Sequence, residues 1–124
     1  MVGADDYAKG YPKVAQIAQQ VREKDFVIFA GHSPNLLPAM LDARDADGNT
    51  HWYDMALFGH THGGQIAFIG NWLNISKVED RYEEGWLVEN RTNLLISRGV
   101  GTSILPIRLF NRPQIHLITV KSTQ

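Results

Sequence analysis

The sequence predicts an α/β fold in which helix–strand units come first and a β-rich segment follows. Three observations predict it. Val14, Ile17, Ala18 and Val21 recur at i, i+3, i+4 and i+7, the spacing of one buried helical face. Phe26–Ala30 and Met55–Phe58 are short apolar runs rich in β-formers, and both stop abruptly at Gly-His, as buried strands of a layered fold would. From Gln65 onward the apolar runs are short and separated by turn residues, a β pattern rather than a helical one. The order β-α-β followed by strands points to layers of helix and sheet around one core.

In chain order, Gly3–Gly10 reads as loop, and Pro12 suits the first turn of a helix that ends near Lys24. Phe26–Ala30 is the first buried strand, closed by Gly31-His32-Ser33-Pro34. Leu36, Leu37, Met40 and Leu41 have helical spacing, with Pro38 tolerated because it falls in that helix's first turn. Asp42–Thr50 is polar and turn-forming, and Met55–Phe58 is the second buried strand. Further strands are predicted at Ile66–Ile69, Trp86–Glu89, Leu94–Ser97 and Ile115–Val120. Trp72, Trp86, Tyr82, Phe58 and Phe110 are assigned to core or interface packing. No internal repeat or low-complexity segment interrupts the 124 residues, so residues 1–124 are read as a single domain.

Twelve Lys and Arg against thirteen Asp and Glu give a net charge of −1, which argues against a general electrostatic grip on nucleic acid. The absence of cysteine excludes disulfides, thiolate metal sites and a cysteine nucleophile. No apolar run approaches the ~20 residues of a membrane span, and Met1–Tyr11 lacks the basic flank and apolar stretch of a signal peptide.

The chemistry concentrates at the two Gly-His corners. Ligands of open α/β sheets bind beyond the carboxyl ends of strands, where Gly31-His32 and Gly59-His60 both lie. His60 and His62 are two apart, so an extended segment would point both to one face. Neutral imidazole is the commonest metal ligand, whereas a strand-end histidine on its own is more often an ordinary hydrogen-bonding residue. Gly59-His60-Thr61-His62-Gly63-Gly64 offers too little apolar area to be explained as packing. Residue chemistry alone leaves ligand and loop roles open. His51, in the polar turn region, and His116, inside the last predicted strand, are assigned structural or surface roles.

With those residues in view, the chain resembles the calcineurin-like metallophosphoesterase family. Gly31-His32 followed by Gly59-His60-Thr61-His62 carries the resemblance. The run Gly59 to Gln65 is similar to the Gly-His-Thr-His-Gly-Gly-Gln of a bacterial phosphodiesterase branch. Gly3-Ala4-Asp5-Asp6, Ser97-Arg98-Gly99-Val100-Gly101, Arg108 and Asn111-Arg112-Pro113 resemble the same branch. The resemblance implies an αββα sandwich, of which this chain would be the C-terminal half. It implies two divalent metal ions, with Mn, Fe, Zn and Mg not distinguished. His32 and His60 would ligate one ion and His62 the other, and a metal-bridging hydroxide would hydrolyse a phosphodiester, phosphomonoester or pyrophosphate. Some relatives are membrane-anchored upstream, so membrane contact is an expectation for a full-length protein only.

The family's remaining ligands sit in Asp-x-His, Gly-Asp and Gly-Asn-His motifs upstream of the first Gly-His, and none of the three occurs in these 124 residues. Gly48-Asn49-Thr50-His51 imitates the last of them, with one residue too many and on the wrong side of His32. The chain alone is therefore expected to be an incompetent hydrolase, needing a missing N-terminal half or associating with itself through an uncovered sheet face. Asp54 opens the strand that ends at His60, six residues and ~20 Å away, so it cannot substitute. Asp5 and Asp6 sit in an early loop that would approach the cleft. Arg98 is a candidate for substrate phosphate, since guanidinium pairs bidentately with phosphate oxygens, with a structural salt bridge as its competing role. Ile104–Phe110 forms an apolar loop suited to packing, or to a hydrophobic substrate or membrane surface. Two other functions compete with the hydrolase: a non-catalytic truncated module with at most a weak three-histidine metal site, and a single-zinc hydrolase held by three imidazoles.

Overall fold

The computed structural model describes residues 1–64, 78–102 and 106–122. Among the described residues, five strands form one sheet: β1 (Val2–Gly3), β2 (Ile28–Ala30), β3 (Met55–Phe58), β4 (Gly85–Glu89) and β5 (Thr92–Ile96). Their order across the sheet is β1-β2-β3-β5-β4. β1, β2, β3 and β5 run parallel, and β4 closes one edge antiparallel to β5. The helices are α1 (Val14–Ala18) and α2 (Leu37–Asp42), the latter entered through a 3₁₀ turn at Pro34–Leu36. The mixed sheet with few helices is an α/β fold, as the alternating pattern predicted.

The register sorts side chains by face. Phe29, Ala56, Phe58, Leu94 and Ile96 are buried in one cluster with Val14 and Ala18 of α1 and Leu37 and Met40 of α2. Phe29 meets Trp52 edge-on, with ring centroids 5.7 Å apart, and Trp52 donates its indole N–H to the Met40 carbonyl at 2.9 Å. The opposite face carries Ile28, Met55 and Leu57, which are half-buried, with Trp86 and Val88 at 54% and 71% exposure. An apolar sheet face left this open is the kind that marks an interaction surface.

Several expectations change. The first helix stops at Ala18 instead of running from Pro12 to Lys24. Lys13, at φ 44°, sits in the left-handed region just before it, and the N–H groups of Gln20 and Val21 reach back only three residues, to Ile17 and Ala18, so the helix tightens into a turn. Val21 stays buried regardless, which is why its periodicity read as helix. β2 is shorter than Phe26–Ala30, and Phe26 is exposed. No strand forms at Ile115–Val120: Ile115 and Leu117 are exposed and the segment has no ladder partner among the described residues, without which a strand is not stable. Trp86 and Phe110 are exposed, while Phe58 and Tyr82 are buried as expected. The strand predicted at Ile66–Ile69, together with Trp72, Ile104 and Leu105, lies outside the described residues.

Candidate metal centre at the strand ends

The ladder itself brings the first two histidines together. Beyond the last paired residues of β2 and β3, Gly31 donates its N–H to the Leu57 carbonyl at 3.0 Å and Gly59 donates to the His32 carbonyl at 3.0 Å. His32 and His60 are thus neighbours one step past a parallel pair. Their rings stand 4.8 Å apart at 70°, with His60 Nδ1 and His32 Nε2 separated by 2.9 Å. In the absence of an ion, one of the two nitrogens must carry the proton that the other accepts.

The chain then turns sharply instead of staying extended. His60 and His62 have φ of 70° and 52°, and Gly63 and Gly64 follow at 58° and 72°. Left-handed backbone at a residue with a Cβ is costly and is found where surrounding structure enforces it. Thr61, buried, helps by accepting the Gly63 N–H on its Oγ1 at 3.3 Å. Gly63 is pinned: a Cβ there would stand 2.6 Å from Asn111 Nδ2 and from Glu84 Oε2. The expectation that an extended segment points His60 and His62 to one face is therefore corrected by the turn. His62 Nδ1 meets the carbonyl of Gly101 at 3.3 Å. A carbonyl only accepts, so this contact is a hydrogen bond only where His62 Nδ1 carries a proton.

Of the two acidic candidates in the first loop, Asp6 lies near the imidazoles. Asp6 is held below the usual carboxylate range, chiefly by the Lys9 N–H it accepts at 2.7 Å, further by the Ala8 N–H, and by the nearby imidazoles of His32 and His60. Asp5 accepts the N–H groups of Asp6 and Tyr11 and serves the turn. Arg98 pairs with Glu84, with Nη2 2.7 Å from Oε1. Glu83, next to that pair, is pushed up by burial and then by the charges of Asp80 and Glu84. His51 lies before the start of β3, at the opposite end from His60, with its Nε2 3.1 Å from Thr92 Oγ1. Asp54, at the same far end, accepts the Val27 N–H.

No family model matches the chain, and no solved structure matches it significantly. Curated proteins do. The uncharacterized metallophosphoesterase YkuE of Bacillus subtilis (strain 168) is 33% identical over 123 residues, covering 96% of this chain and 39% of that protein. An uncharacterized metallophosphoesterase of Aquifex aeolicus (strain VF5) is 29% identical over 107 residues, covering 86% of this chain and 37% of that protein. The uncharacterized protein YpbG of Bacillus subtilis is 31% identical over 122 residues, covering 97% and 41%. The chain spans about two fifths of the length of the curated relatives it matches. Names of this kind support a phosphoesterase family.

That family implies divalent metal ions, and the residues present can be tested against them. The donor chemistry fits: two imidazole nitrogens 2.9 Å apart lie close enough to share one ion. The donor count does not, since among the described residues no group of three or more His, Asp or Glu side chains is arranged to hold a metal. The described residues therefore bring two imidazoles together and no third donor, and no hydrolytic step follows from them alone.

Sequence reasoning found the histidines but gave no role to the residues that shape their loop. Asn111 is buried and donates to the carbonyls of His62, at 2.8 Å, and Gly63. Arg108 donates to the carbonyls of His62, Arg98, Gly101 and Asn111. A polar pair in an aperiodic loop carries no periodicity signal. The pointers were Arg108 and Asn111-Arg112-Pro113, both noted through the family resemblance without a role.

Proposed function

We propose that the chain is the C-terminal part of a metallophosphoesterase domain, acting on phosphate esters through two divalent ions. One observation carries the reading: the convergence of His32 Nε2 and His60 Nδ1 at 2.9 Å beyond two adjacent parallel strands. In this reading those two nitrogens hold one ion, and His62 meets the second through Nε2. When bound, the ions would supply Lewis acidity at phosphorus. Acidic ligands, including any bridging carboxylate, come from chain outside these residues, in keeping with the two fifths of the relatives' length covered here. The open face of Ile28, Met55, Leu57, Trp86 and Val88 is where that missing half, or a second copy, would pack. Exposed Ile107, Leu109 and Phe110 are where membrane or hydrophobic substrate contact would fall. Arg98 meets substrate phosphate only if its pair with Glu84 opens.

A second reading, a non-catalytic module, is favoured by the lack of a three-donor cluster among the described residues. Hydrolysis of bis-p-nitrophenyl phosphate with Mn²⁺ tests both. The 124-residue chain alone is expected to be inactive. The same chain joined to an upstream segment carrying Asp-x-His, Gly-Asp and Gly-Asn-His is expected to turn over, and to lose that activity with His60→Ala. Turnover by the short chain contradicts the need for outside ligands. Inactivity of the joined protein favours the module.

A further inference from the structure

Among the described residues the Arg108 guanidinium has no carboxylate partner; apart from Asn111 Oδ1 at 3.3 Å, its partners are main-chain carbonyls. Its Nη2 donates to His62 O at 3.2 Å and Arg98 O at 3.0 Å, its Nε to Asn111 O at 2.9 Å, and its Nη1 to Gly101 O. Four carbonyls from three loop segments meet at one planar fork. Gly101 O is also the acceptor that faces His62 Nδ1 at 3.3 Å. The same cation thus grips His62 at both ends, through its own carbonyl and through the carbonyl its ring addresses. Asn111 adds two more bonds to the His62–Gly63 backbone.

We infer that Arg108 is a positioning residue for the His62 imidazole: by fixing Gly101 O against Nδ1 it sets the Nδ1–H tautomer and leaves Nε2 as the ring's lone-pair nitrogen. A carbonyl behind one ring nitrogen is the arrangement that fixes the tautomer and raises the basicity of a metal-binding histidine. Lysine cannot replace the fork, since an ammonium is a point donor that cannot span four carbonyls in one plane. The tautomer needs no metal, although its usefulness rests on the reading of His62 as a ligand.

Long-range ¹H–¹⁵N correlation spectra of the metal-free 124-residue chain at mildly alkaline pH test it. Wild-type His62 is expected predominantly as Nδ1–H. Arg108→Gln is expected to lose that preference and shift His62 toward the Nε2–H form, while His51, held by Thr92 at the far end of β3, keeps its pattern as a report on the fold. If Arg108→Gln fails to fold, Arg108→Lys is decisive, with a partial loss expected. His62 found as Nε2–H in the wild type, or unchanged by folded Arg108 variants, overturns the inference. A Zn²⁺ titration separates it from the ligand reading. If His62 ignores zinc while its tautomer still follows Arg108, the positioning role stands and the ligand role falls.

Discussion

The two Gly-His corners sit at equivalent places on neighbouring strands and are built in opposite ways. Gly31 is enclosed by the core: a Cβ there would stand 2.7 Å from Leu36 Cδ1, 3.0 Å from Phe29 and 3.1 Å from Phe58. Gly59 is nearly open, with His32 O at 3.9 Å as its nearest neighbour. The first corner is aimed by apolar packing. The second is aimed by a left-handed turn that buried Thr61, Asn111 and the Arg108 fork hold from outside. One histidine depends on close packing, which tolerates little added volume, and the others on polar bonds between loops distant in sequence.

Substitution at the second corner's turn should have the largest effect. Gly63→Ala adds a Cβ at φ 58° against Asn111 and Glu84, and urea denaturation should show a loss of about 2–4 kcal/mol. Gly31→Ala comes next, at about 1–3 kcal/mol from overpacking against Leu36 and Phe29. It should also weaken the His32–His60 contact, seen as loss of ring-to-ring cross-peaks. A stable Gly31→Ala protein with that contact intact would erase the difference between the corners.

The far end of β3 offers a comparison without a site. Burial, followed by the charges of Glu89 and Tyr82, pushes the Tyr53 hydroxyl up to about 12, and that buried hydroxyl has no hydrogen-bond partner among the described residues. The raised value favours the neutral form in the folded state. Its stabilisation is complete below the ordinary tyrosine value near 10 and is lost as pH rises through about 12. Tyr53→Phe should flatten that part of the stability profile and change neutral-pH stability by less than about 1 kcal/mol, with no effect on His32 or His60. Gly59→Ala should be the mildest, within about 0.5 kcal/mol, because nothing crowds its position.

What was legible in the sequence follows the same division. Apolar runs at Phe26–Ala30 and Met55–Phe58 announced two of the parallel strands, the first longer than the strand that forms, and the Gly-His endings announced where polar chemistry would emerge. Those signals are local. The turn at His60–Gly64 was not legible, because the bonds that hold the His62 and Gly63 carbonyls come from Arg108 and Asn111, nearly fifty residues downstream. Ile115–Val120 misled for the converse reason: its β-branched composition is a local preference, and a strand also needs a neighbour.

The pairing of His32 with His60 is tested most directly by titrating the 124-residue chain with Zn²⁺ while following the histidine ring nitrogens by NMR. The account predicts that His32 Nε2 and His60 Nδ1 respond together and saturate at the same zinc concentration, with His51 unmoved. Independent responses from the two rings, or a first response at His51, would contradict it.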